Sequence, residues 1–222
     1  MGPPGGGRTF ITQRYLRHYN IIALTEFSGA SLTRIFSTVL TFFLKPFDRS
    51  MQKLTEPLVA TTLDLYNTVA KELLPTPTKS HYVFNLRDLS KVVQGIMQVK
   101  PATCADSDGL VKLWYHECSR VFRDRLVDKP DRFWFDKFMS EAVTSAFQKN
   151  WAAMVSGTVL YGHFMGGDPE TAPYAQIEDA SALQKLLEEG PSRANFTSRS
   201  VRRVLLMPQV NPGSPYRCGK RT

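Results

Sequence analysis

The stretch from Leu73 to Met97, LLPTPTKSHYVFNLRDLSKVVQGIM, constrains the fold more than any other part of the chain. A helix arriving there must stop at Leu74, because the residue before a proline is pushed out of the α region and Pro75 and Pro77 cannot continue a helix. A new helix is then specified by Asn85 as its N-cap, with Asp88 three residues on as capping partner. Leu89, Val92, Val93, Ile96 and Met97 give that helix one apolar face. Arg87 is out of place in this pattern. A cation in the first turn faces the positive end of the helix dipole, which costs about 0.3–1 kcal/mol unless an anion is nearby. Two readings follow: an exposed Arg87 paired with a neighbouring carboxylate, or an arginine held over a nucleotide phosphate from a helix N-terminus.

The rest of the chain up to Lys149 is patterned for helices. Thr12 to Asn20 predicts a short helical segment, and the apolar Ile21 to Leu24 a brief buried strand. Ser28 or Ser31 can cap a helix whose stripe is Leu32, Ile35, Phe36, Val39, Leu40 and Phe43, ended by Lys45-Pro46. A second helix from about Met51 carries Leu54, Leu58, Leu65, Tyr66, Val69 and Leu73, and begins or bends at Pro57. After the break PATCADSDG, Asp106 or Ser107 can cap a helix that turns Leu110, Leu113, Trp114, Val121, Phe122 and Leu126 inward. Arg120, Arg123, Asp124 and Arg125 mostly read as a solvated face. Lys129-Pro130-Asp131 opens a helix whose aromatic load, Phe133, Trp134, Phe135, Phe138 and Phe147 with Met139 and Val143, reads as core. The sum is a mainly α fold, a bundle of about five helices between Ser28 and Lys149.

Beyond it the pattern changes. Val159, Leu160, Phe164 and Met165 predict a strand, followed by the loop GGDPETAPY and a short helix through Leu183, Leu186 and Leu187. From Gly190 the sequence is rich in Ser, Arg, Asn, Pro and Gly without an apolar period, which predicts disorder.

Charge and cysteine usage exclude several classes. The formal net charge is +8, but it sits at the end: after Glu189 there is no acidic residue, whereas Arg193, Arg199, Arg202, Arg203, Arg217, Lys220 and Arg221 all follow. The remainder is close to neutral, which argues against a nucleic-acid-binding domain. The longest apolar run, Ile35 to Leu44, is broken by Ser37, Thr38 and Thr41 and is far short of the roughly 20 residues of a membrane span. MGPPGGGRTF lacks a secretory h-region, so cytosolic or cytoskeletal residence is expected. Cys104, Cys118 and Cys218 form no CxxC pair, and His18, His81, His116 and His163 lie far apart, so neither disulfide framework nor metal site is indicated.

The segments GPPGGGR and LPTPTKSHYVFNLRDLS resemble the dynein heavy chains, closer to the ciliary than to the cytoplasmic type. The resemblance runs, with gaps, from Gly2 to about Leu187. It implies the C-terminal lid of the third AAA+ module, with Arg87 as the sensor-two arginine. It also implies four regions: a remnant of the AAA+ large subdomain at 1–27, the helical lid at 28–149, a strand-containing start of the next α/β module at 150–189, and a basic tail at 190–222. Arg14, which shares a helix face with Arg17, aligns with the arginine finger that one module offers to its neighbour's nucleotide. Gln13 and Tyr15 stand where the family commonly has Pro and Phe. On spacing alone, Arg14 and Arg17 are a basic surface patch.

Two lookalikes are set aside. Gly2 to Thr9 has the spacing of a P-loop with Arg8 in the lysine position, but a P-loop needs a strand before it and a helix directly after. Arginine is also a poor substitute for the compact lysine ammonium. By resemblance, Gly5, Gly6 and Gly7 instead belong to the glycine-rich loop after the sensor-one strand. Ile21 to Glu26 is similar to a Walker B strand, but Thr25 stands where the magnesium-binding aspartate belongs.

The resemblance therefore implies part of an ATP-driven motor ring for microtubule-based movement, residing on the cytoskeleton in the ciliary axoneme. ATP or ADP with Mg would be engaged only in the full motor, and the isolated chain is expected to be inactive. The implied partners are neighbouring AAA+ modules, other dynein subunits, and microtubules through parts outside these residues. Because Met1 falls inside what resembles an internal loop, a truncated isoform or incomplete gene model is expected. The alternative is a non-enzymatic helical interaction module.

Overall fold

The computed structural model describes residues 10–22, 27–104, 106–149, 151, 159–163, 173–177, 179 and 181–185, together with the backbone of 209–211 and 214–217. Helix α1 (Gln13–Leu16) buries none of its residues. Ile21 and Ile22, expected in a buried strand, are 69% and 83% exposed and outside any strand. Hydrophobicity alone does not make a strand; its backbone groups need a partner edge, and the described residues present none here.

Helix α2 (Gly29–Leu44) starts where Ser28 accepts a hydrogen bond from the Ser31 amide at 3.2 Å. Its buried stripe is Leu32, Phe36, Leu40 and Leu44, narrower than the sequence pattern allows. Ile35, Val39 and Phe42 lie along an exposed face of the same helix. A short helix α3 (Arg49–Gln52) precedes α4 (Thr55–Glu72), which places Pro57 in the first turn, where its missing N–H costs nothing. α4 ends at Glu72, two residues earlier than the prolines require, with Leu73 already out of the helical region at ψ 73°.

Helix α5 (Leu86–Ile96) packs on α6 (Ser107–Val121), α2 packs on α4, and α4 also touches α5 and α7 (Lys129–Phe147). The core between them includes Leu58, Leu65, Val92, Leu110, Leu113, Trp114, Phe122 and Phe135, all without exposed surface. Each large apolar side chain buried in this way contributes about 1.5–3 kcal/mol. Trp114 carries a polar N–H into that core, and the Thr62 hydroxyl accepts it at 2.8 Å, tying α6 to α4. Phe133, by contrast, is 73% exposed, and Met97 is 40% exposed. Phe133 leaves the core because the buried line of α7 runs through Phe135, Met139 and Val143.

After α7, which Gln148 ends in the left-handed conformation at φ 54°, a two-stranded ribbon forms from β1 (Tyr161–Gly162) and β2 (Ala175–Gln176). Residues 181–185 are helical, with the Asp179 carboxylate accepting the Ser181 and Ala182 amides. A second antiparallel pair joins β3 (Gln209–Asn211) to β4 (Ser214–Arg217). The rest of the 190–222 tail, expected to be disordered, lies outside the described residues, as do the glycine-rich segment Gly2 to Thr9, Thr25 and Glu26, and Phe164 and Met165. The described chain is mainly helical, in keeping with a helical lid. No helix among the described residues is long and apolar enough to cross a membrane.

Candidate functional site

The turn that opens α5 is built as its sequence specifies. The Asn85 side chain accepts the Arg87 amide at 2.9 Å, and the Asp88 carboxylate accepts the Asn85 amide at 3.1 Å. Asp88 is only 3% exposed, so its charge needs partners. Arg125, from the 3-10 turn Arg123–Arg125 that follows α6, supplies one at 2.9 Å, and Lys91 another at 3.3 Å. Burial pushes the Asp88 carboxyl up, but the Asn85 amide, Arg125 and Lys91 outweigh it, and the net shift is below the ordinary carboxylate range.

Arg125 is the hub of a wider brace. Its guanidinium also donates to the Val83 carbonyl at 3.3 Å and lies over the Phe84 ring at 5.1 Å. Its own carbonyl is 3.0 Å from the His81 ring nitrogen Nε2. Further along, Lys79 pairs with Asp128 at 2.6 Å and Asp131 at 2.7 Å, and the Tyr82 hydroxyl donates to Asp131 at 2.8 Å while accepting the Val127 amide at 3.0 Å. The hydrogen bonds to Asp128 and Asp131 raise the Lys79 pKa and keep it charged. The proline loop is thereby fastened to the start of α7, and the Asn85–Asp88 turn is held from both sides.

Arg87 emerges from this braced turn exposed, and among the described residues it has no carboxylate partner. Of the two readings open at the sequence level, surface pairing with a carboxylate does not form among the described residues. The one acid beside it, Asp88, is turned inward and neutralised by Arg125. Arg14 is likewise exposed, on α1, without a carboxylate partner among the described residues; Arg17, next along the same face, donates to the His18 ring at 3.2 Å. Gly5, Gly6 and Gly7 lie outside the described residues.

The charged face expected on α6 and the following turn holds for Arg120 and Asp124, which are exposed, and is corrected for Arg123 and Arg125, which are half-buried and paired. Arg123 forms a two-pronged pair with Asp136 at 2.6 and 2.8 Å, Arg120 pairs with Glu117, and Arg125 with Asp88. Only Asp124 of the group is exposed without an ion pair among the described residues. Sequence reasoning also missed Glu117 and His116, both buried. Glu117 had a signal: it falls four residues after Leu113 and seven after Leu110, inside the apolar stripe.

The family described as dynein heavy chain, ATPase lid domain, matches residues 35–132, the segment that contains α4, α5, α6 and the braced turn. The chain is 41% identical over 206 residues to dynein axonemal heavy chain 1 of Homo sapiens, covering 85% of this chain and 5% of that one. The chain belongs to the dynein heavy chain family. It is 36% identical over 200 residues to dynein axonemal heavy chain 6 of Homo sapiens, covering 88% of this chain and 5% of that one. It is 37% identical over 193 residues to the dynein-1-beta heavy chain of the flagellar inner arm I1 complex of Chlamydomonas reinhardtii, covering 85% and 4%. The chain thus spans about 5% of the length of these dynein relatives. Its Asn-Leu-Arg-Asp turn lies inside the matched lid domain, and the relatives carry axonemal and flagellar names.

Proposed function

We propose that this dynein segment is the lid of the third AAA+ module and the start of the fourth in an axonemal-type heavy chain, where it senses nucleotide and couples adjacent modules. The observation that carries the reading is Arg87: exposed, without a carboxylate partner among the described residues, at the first turn of a helix whose buried acid is already neutralised. An anion approaching this turn meets an exposed guanidinium and the positive end of the helix dipole rather than a free carboxylate. The residues present therefore fit a phosphate.

In this role Mg-bound ATP or ADP supplies the phosphate charge, and the chain's own contribution is to aim one guanidinium. The brace of Arg125, Asp88, Tyr82 and Asp131 fixes the backbone from which Arg87 reaches out, so little is lost in ordering it on binding. Arg14 is assigned to a neighbouring module's nucleotide as an arginine finger, stabilising charge that develops on the transferred phosphoryl group. The whole motor would be a microtubule-based, ATP-driven machine of the cilium axoneme. Its microtubule contacts and other dynein subunits engage parts outside these residues.

The exposed line Ile35, Val39 and Phe42 on α2 supports the view that the lid packs against further protein. Steady-state ATPase kinetics on a heavy-chain motor carrying this sequence test the assignments. Arg87→Ala should weaken nucleotide affinity, and Arg14→Ala should lower turnover with affinity retained. Unchanged affinity and turnover in both variants overturn the reading and favour an interaction module.

A further inference from the structure

Three contacts converge at the C-terminal end of α5, opposite the end that carries Arg87. Gly95 lies so close to Glu117 that a Cβ there would overlap the carboxylate. Glu117 has no exposed surface; its Oε2 accepts the Arg120 guanidinium at 2.6 and 3.0 Å, and its Oε1 accepts the Tyr174 hydroxyl at 2.5 Å. Val99, just past α5, pairs its backbone with Tyr174 in a parallel bridge.

Tyr174 adjoins β2, so this joint binds the end of α5 to the β1–β2 ribbon. The ribbon is seated by further contacts on α6. The Tyr161 hydroxyl donates to the Gly109 carbonyl at 3.1 Å, and the His116 ring lies 3.2 Å from the Val159 carbonyl. A carboxylate wholly removed from water is costly unless its oxygens are bonded, and breaking one such bond is more disruptive than never having made it. Tyr174 is therefore required by Glu117. Burial, and then the bond to Glu117, push the Tyr174 phenol up, which keeps it a donor.

We propose that α5 is a lever that couples the Arg87 turn to the β1–β2 ribbon, with the Gly95–Glu117–Tyr174 joint at its far end. The inference rests on the phosphate-facing role of Arg87 given above. α5 has 11 residues, about 16 Å of rise, and each of its ends is tied to a neighbouring element. The capping box and Arg125 hold the first turn; the carboxylate joint holds the last. A packed helix of this length moves as one rigid element, so a displacement imposed at Arg87 would be carried to Tyr174.

Amide hydrogen exchange on a heavy-chain motor carrying this sequence, with and without Mg·ATP, reads the coupling directly. In the wild type, nucleotide should change exchange at the amides of 174–177 by about tenfold, the effect of one buried hydrogen bond on a local opening equilibrium. Tyr174→Phe keeps the ring and removes the hydroxyl, and should lose this response while retaining wild-type nucleotide affinity. Arg87→Ala should lose both. A wild-type response in Tyr174→Phe with none in Arg87→Ala overturns the lever and leaves the phosphate-facing reading standing. Wild-type affinity and response in Arg87→Ala sink that reading and the lever with it. Glu117→Gln, which leaves an acceptor for Tyr174, should diminish the response less than Tyr174→Phe; the reverse order overturns the joint.

Discussion

Replacing Asp88 separates the two tasks that its carboxylate performs. It caps α5 by accepting the Asn85 amide, and it neutralises Arg125 at 2.9 Å in a site where Asp88 is 3% exposed. Asp88→Asn keeps the shape and an acceptor for the cap but removes the charge. A fully buried pair broken in this way costs about 3–5 kcal/mol. The Arg125 side chain is 35% exposed, so water recovers part of that, and a loss of about 1–2 kcal/mol is expected. Lys91, half exposed, adds little. Asp88→Ala loses the cap as well, for a total of about 2–3 kcal/mol. Urea unfolding followed by circular dichroism measures both. The pH dependence has a definite sign. The folded-state pKa of Asp88 is lowered, so its contribution is complete above the unfolded value of about 3.9 and disappears as pH falls through the lower folded value. The gap between wild type and Asp88→Asn should be constant near neutrality and close only in acid. No gap at neutral pH, or equal losses in the two variants, would refute the division of roles.

Other positions give independent checks. Gly95→Ala should destabilise by about 1–2 kcal/mol in the same urea assay although alanine is the better helix former, because Glu117 is held by Arg120 and Tyr174 and has nowhere to move. Thr62→Val should cost about 1–3 kcal/mol by orphaning the buried Trp114 N–H, an effect read equally from the tryptophan fluorescence transition. Phe133→Ala and Arg87→Ala should each change stability by less than about 0.5 kcal/mol, since both side chains are exposed, and thermal melts check this.

The helices were legible because their punctuation is local. Pro75, Pro77 and the Asn85–Asp88 box mark the ends of α4 and α5 within a few residues, and Ser28 caps α2 as its position predicts. Burial was less legible where two faces of a helix are both apolar. Ile35 and Val39 read as core, yet the core side of α2 is set by where α4 lies. The braced site was hidden for another reason. Asp88 and Arg125, Lys79 and Asp131, and Glu117 and Tyr174 are partners across distant stretches of chain, and no local period announces such pairs. The arginines after α6 therefore looked like a solvated face, although Arg123 and Arg125 hold the fold together. Arg87 was legible as an anomaly from the dipole rule alone; that it lacks a carboxylate partner among the described residues required the structure.

If Arg87 meets a nucleotide phosphate, removing its guanidinium must weaken nucleotide binding. Calorimetry of ATP and ADP binding to a heavy-chain motor carrying this sequence, wild type against Arg87→Ala, tests it most directly. Affinity should fall about tenfold or more, the value of a charge-assisted hydrogen bond, with stability unchanged. Equal affinity in the two proteins would contradict that contact.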